Sequence, residues 1–98
     1  MKVAFLKLVF IRKELSKDLA LRDNAIRFFD KINTEDSKKI VIDFSNVDTI
    51  TLSFADEYLK RKKQSKKEIK EEHVPINILK MFEVVGKVNH APSIKSVN

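Results

Sequence analysis

Ile40–Tyr58, IVIDFSNVDTITLSFADEY, carries the reading of the fold. Its IVIDF run is apolar and β-branched, as a buried strand requires. Ser45 and Asn46 supply a turn. A short Val/Thr/Ile segment follows, and Ser53 then opens a helix at SFADEYL. Ser53 and Asp56 stand at the cap-to-third-position spacing of a capping box. The stretch predicts strand, turn and helix in quick succession, with the Ser53 hydroxyl at the helix N-terminus. There it can cap the helix, a contribution of about 1 kcal/mol. The same place suits a phosphate, because the first turn leaves N–H groups without partners and the helix dipole favours negative charge.

Outward from this stretch, strand and helix patterns alternate. Val3–Ile11 is almost continuously apolar and reads as a strand. Val3, Phe5, Val9 and Ile11 share one face; Ala4, Leu6, Leu8 and Phe10 share the other. Two apolar faces predict cover on both sides. Arg12–Asp18 reads as a polar connection. Leu21, Ala25, Phe28 and Ile32 recur at helical spacing, and NTEDSK at 33–38 is a turn cluster. The second strand is Lys39–Phe44, placed centrally by its IVI run. The second helix is expected over Ser53–Lys67, packing through Phe54, Ala55, Tyr58 and Leu59. Glu68–Val74 fits either an edge strand or the end of that helix. Pro75 suits a first helical turn, so a third helix starts near Ile76 and runs to about Asn89. The order predicts an α/β fold: a small mixed or mostly parallel sheet with helices packed on it. Residues 1–90 form a single domain and 91–98 a loose tail.

Composition narrows the function. Ninety-eight residues make one domain with one modest core. No apolar run approaches the roughly 20 residues that span a bilayer, and Met1–Ile11 has no small-residue cleavage site after it. The expected location is the cytoplasm. Zero cysteines exclude disulfides and thiolate chemistry. A single glycine, Gly86, excludes the phosphate-cradling loops of Walker or dinucleotide type. The net charge of +6 attracts acidic protein surfaces or nucleic acid.

Asp43–Asp56, DFSNVDTITLSFAD, resembles the STAS-like family of unknown function, relatives of the anti-sigma-factor antagonists. LALRDNA at Leu19–Ala25 is similar to the family's Leu-x-x-Arg element, and the likeness covers residues 15–85. It implies a small α/β domain that binds protein partners. In the better-known relatives, a kinase of the GHKL ATPase type phosphorylates the serine at this helix start and so switches partners. Ser53 occupies that position here. The antagonist pattern Asp-Ser-Ser-Gly reads Thr51-Leu52-Ser53-Phe54 in this chain, without the acid or the glycine. The resemblance also gives Arg22 a role in ordering the loop near the second helix.

The candidate partner-binding and regulatory residues are therefore Ser53, Thr49, Thr51, Asp56 and Glu57. Asp48, Asp56 and Glu57 are expected to make the place acidic, so that a phosphate there acts by repulsion. A second reading uses Lys60, Lys63, Lys67 and Lys70, which line one stripe at helical spacing and offer a phosphate-directed, non-specific footprint for nucleic acid. Without interleaved aromatics it has no base-stacking readout. Met81, Val84 and Val88 widen the apolar arc of the third helix into a self-association surface, and the first strand offers another if it lies at a sheet edge.

Catalysis finds no constellation. His73 and His90 stand far apart, and His73 beside Glu71 and Glu72 reads as a solvated charge cluster. Asp43 is assigned to backbone donors at its strand end and Asp48 to the turn. No metal and no cofactor is expected. The sequence reads as a non-enzymatic protein–protein interaction module in regulation, its partner a kinase-like ATPase or a transcription regulator. The alternative is a nucleic-acid-associated module.

Overall fold

The computed structural model describes residues 5–95, with side chains through residue 87. Three strands form the main sheet: β1 (Leu6–Phe10), β3 (Lys39–Asp43) and β5 (Glu68–Glu72). The order is β1-β3-β5 and both pairings are parallel, so β3 is central, as its IVI run predicts. Ile40 and Ile42 are fully buried. A second, two-stranded parallel sheet pairs β2 (Asp18–Leu19) with β4 (Thr49–Ile50). The helices are α1 (Ile11–Glu14), α2 (Arg22–Asn33), α3 (Leu52–Gln64) and α4 (Ile76–Lys95). This is the expected α/β arrangement of a small, mostly parallel sheet with helices packed on it.

An aromatic cluster joins the layers. Tyr58 of α3 lies at its centre, edge-on to Phe29 at 5.1 Å and Phe44 at 5.8 Å, and stacked on Phe82 at 5.0 Å. Phe54, the bulky residue after Ser53, is fully buried. Such aromatic pairs add about 0.5–1.5 kcal/mol each beyond the area they bury. α4 contributes Ile78 and Val85, both buried, while Leu79 is exposed.

Several expectations need correcting. Arg12–Asp18 is more than a connection: it holds most of the one-turn α1 and the first residue of β2. β2 and β4 are two residues each, too short for a periodic signal. They tie together the approaches to α2 and α3, with the Thr51 N–H donating to the Leu19 carbonyl at 2.9 Å. Glu68–Glu72 is a strand, although it reads EIKEE. Ile69 packs against the core, and Glu71 on the same face accepts from the Tyr58 hydroxyl at 2.7 Å and from Lys62 at 2.9 Å. A strand that turns a half-buried acid inward this way carries no apolar alternation. The expected cover on both faces of the first strand is absent among the described residues. Val9 and Ile11 are buried, but Leu6, Leu8 and Phe10 are 53%, 45% and 37% exposed. Val3 and Ala4 lie outside the described residues. α4 begins at the expected place and continues past Asn89 to Lys95, and residues 96–98 of the expected tail lie outside the described residues.

Candidate functional site

The start of α3 is built on a threonine. Thr51 is extended (φ −92°, ψ 161°), and its hydroxyl oxygen accepts from the Phe54 N–H at 3.1 Å. The same hydroxyl donates to the Ala20 carbonyl at 2.6 Å. Thr51 is the N-cap, and this corrects the expectation that Ser53 fills that role. Pairing of β4 with β2 holds residue 51 in the non-helical conformation a cap requires, so the helix begins two residues early. Ser53 becomes the second helical residue, exposed. Its hydroxyl has no capping duty, and the Ser53–Asp56 capping box does not form.

Two exposed leucines flank it. Leu52 opens α3 and is 57% exposed; Leu21 precedes α2 and is 63% exposed. Each follows one end of the Thr51–Ala20 bond along the sequence, so the two helix starts stand side by side. Thr49 is exposed and donates to the Asp18 carboxylate at 2.8 Å.

Asp56 and Glu57 do not form an acidic surface. Arg22 Nη1 lies 2.9 Å from Asp56 Oδ2 and 3.0 Å from Glu57 Oε1. Arg61 Nε lies 2.8 Å from Glu57 Oε2, and Lys60 Nζ is 3.8 Å from Oε1. Three cations thus surround two acids. Glu57 is buried, and the Arg61 hydrogen bond, against the opposing effect of burial and with help from Arg22 and Lys60, holds its carboxyl below the usual range. Asp48 sits 3.9 Å from Lys17. The expectation of a locally acidic place that repels a phosphate is therefore corrected. Arg22 thus pairs with residues of α3 itself, not with the loop before it.

The lysine stripe is not one helical face. α3 ends at Gln64, because Ser65 turns extended (φ −70°, ψ 144°) and its hydroxyl accepts the Lys67 N–H and donates to Asn33. Lys60 and Lys63 are on the helix; Lys67 lies beyond it and Lys70 stands on β5. The Lys67 ammonium donates to the carbonyls of Glu35 and Ser37. On α4, Met81 is half-buried and Val84 is 52% exposed, while the Val88 side chain lies outside the described residues.

One group escaped the sequence reading. His73 Nδ1 lies 2.9 Å from Asp43 Oδ2, and the Ser45 N–H donates to Asp43 Oδ1 at 2.7 Å. The bond from Ser45 agrees with the assignment of Asp43 to a backbone donor. Burial pushes the Asp43 carboxyl up, but the Ser45 and His73 bonds outweigh it and leave it lowered. Glu72 pairs in register with Asp43 across the two strands. His73 is thus not part of a solvated cluster with Glu71. The parallel pairing of β5 on β3 brings these residues together, and that signal is available only once Glu68–Glu72 is known to be a strand.

A family model described as a STAS-like domain of unknown function matches residues 24–81. No curated protein and no solved structure is similar enough to the chain to count as a match. No helix among the described residues is long and apolar enough to cross a membrane.

Proposed function

We propose that this chain, which belongs to the family of STAS-like domains of unknown function, is a non-enzymatic protein–protein interaction module in cytoplasmic regulation, docking its partner at the start of α3. The observation that carries this reading is the exposed Ser53 hydroxyl, relieved of capping by Thr51 and flanked by Leu21 and Leu52. Two apolar side chains beside a polar group give a small docking patch with an anchor and an orienting contact. The partner is a regulatory protein, of the kinase-like ATPase or transcription-regulator kind.

A partner kinase would transfer the γ-phosphoryl of ATP to Ser53 Oγ, releasing ADP and the hydroxyl proton. The product adds about two negative charges at a helix N-terminus that favours them. With Asp56 and Glu57 already paired, the added charge acts on the partner rather than on this fold. The nucleic-acid alternative has less support, since Lys67 is engaged by carbonyls and Lys70 stands off the helix.

Capture of partners from the native cell, with mass spectrometry on Ser53, tests the proposal. Wild type and Ser53→Ala should retain one shared partner and Ser53→Glu should lose it, whereas reversing Lys60, Lys63 and Lys67 should leave it bound. Equal capture by Ser53→Glu would remove the basis for the reading.

A further inference from the structure

The carboxyl ends of β3 and β5 carry a second group of residues whose chemistry the docking surface does not use. Asp43 closes β3 and Glu72 closes β5, in register on the same sheet face. His73 follows at φ 54°, a left-handed conformation uncommon outside glycine, and its ring is held against Asp43. The carboxyl end of a parallel sheet is where ligands of open α/β folds bind.

We propose that Asp43, Glu72 and His73 form a binding site for a divalent transition-metal ion of the zinc class. One ligand atom from each residue lies within 4.8 Å of the other two. Donors bound tetrahedrally to one such ion at roughly 2.0–2.2 Å stand about 3.3–3.6 Å apart, so the exposed Glu72 and His73 side chains close on the ion by up to about 1.5 Å. Asp43 and His73 are in hydrogen-bond contact at 2.9 Å, so the two donors already converge on one place.

The donors are graded by exposure. The Asp43 side chain is 7% exposed, Glu72 41% and His73 65%, which leaves an open side for water. Ser45 fixes one Asp43 oxygen, and the other, which His73 Nδ1 contacts, is the one that faces the ion. Two carboxylates neutralise the divalent charge, and the imidazole nitrogen favours zinc-class ions over magnesium or calcium. On binding, the Nδ1 contact with Asp43 is given up: any proton on Nδ1 is displaced, its lone pair takes the ion, and Nε2 keeps its N–H. Lys70 is the competing cation, 3.9 Å from Glu72 Oε2. Its distance and exposure make that contact easy to displace.

Titration calorimetry of the full chain with Zn²⁺, and with Mg²⁺ as comparator, tests the site. The expected result is one ion per chain at about micromolar affinity, weakened at least about tenfold by His73→Ala and by Glu72→Gln. Both residues are at the surface, and circular dichroism checks that the variants fold. Imidazole nitrogen NMR gives a second readout: the His73 Nδ1 resonance should shift with zinc while His90 stays unchanged. No saturable binding, wild-type binding in both variants, or equal affinity for Mg²⁺ would overturn the assignment.

Discussion

Arg22 at the start of α2 donates to the buried Glu57 of α3 at 3.0 Å, and so ties together the two helix starts that carry the proposed docking patch. Glu57 is the hub of that contact, because Arg61 holds its other oxygen. Replacing Glu57 by alanine leaves Arg22, Lys60 and Arg61 without their shared acid. The expected cost is about 1–3 kcal/mol, the loss of hydrogen bonds to a buried charged group, read as a lower urea midpoint. An unchanged midpoint would contradict the hub role.

The same carboxylate makes stability depend on acid. The folded-state pKa of Glu57 is depressed, so its contribution is fully present above the unfolded value of about 4.3. It fades as pH falls through the lower folded value. Asp43, also lowered, acts in the same direction. Glu57→Gln should therefore flatten the loss of stability below about pH 4, measured by urea unfolding across the acid range.

Thr51 caps α3, and Ser53 carries the regulatory role proposed above. Thr51→Ala removes the cap and should cost about 1–2 kcal/mol. Ser53→Ala should stay within about 0.5 kcal/mol of wild type, and Ser53→Glu should fold equally well. Thermal unfolding of the three variants checks the order. A larger loss from Ser53→Ala than from Thr51→Ala would return the capping role to Ser53.

Tyr58 sets the alkaline limit. Burial, together with the neighbouring Glu71 that accepts its hydroxyl, raises its pKa well above the ordinary value. The folded state therefore favours the neutral phenol. Its contribution is present below the unfolded value of about 10 and is lost as pH rises beyond it. Tyr58→Phe should remove that alkaline sensitivity and cost about 1–2 kcal/mol near neutral pH. Urea midpoints on both sides of the phenol range would show it.

Where a single local signal decides, the fold is legible in the chain. The IVI run places β3 at the centre, the Leu21–Ile32 period gives α2, and Pro75 gives the start of α4. Where tertiary contacts decide, it is not. β5 reads EIKEE because Glu71 is satisfied by Tyr58 and Lys62, partners distant in sequence. The cap is Thr51 because β2 pairs with β4, a two-residue ladder without periodicity. The lysine stripe required a helix through residue 70, and the turn at Ser65 interrupts it. The approach to Ser53 was visible in sequence; its Arg22–Glu57 brace needed the α2–α3 packing. The Asp43, Glu72 and His73 group depended on strand register.

The central claim is that the start of α3 is the contact surface. Amide hydrogen exchange on the purified complex with its captured partner tests it most directly. The account predicts new protection over residues 20–22 and 49–57, with no change over residues 60–70 or along β1. Protection confined to the lysine segment or to the β1 edge, with residues 49–57 exchanging as in the free protein, would contradict it.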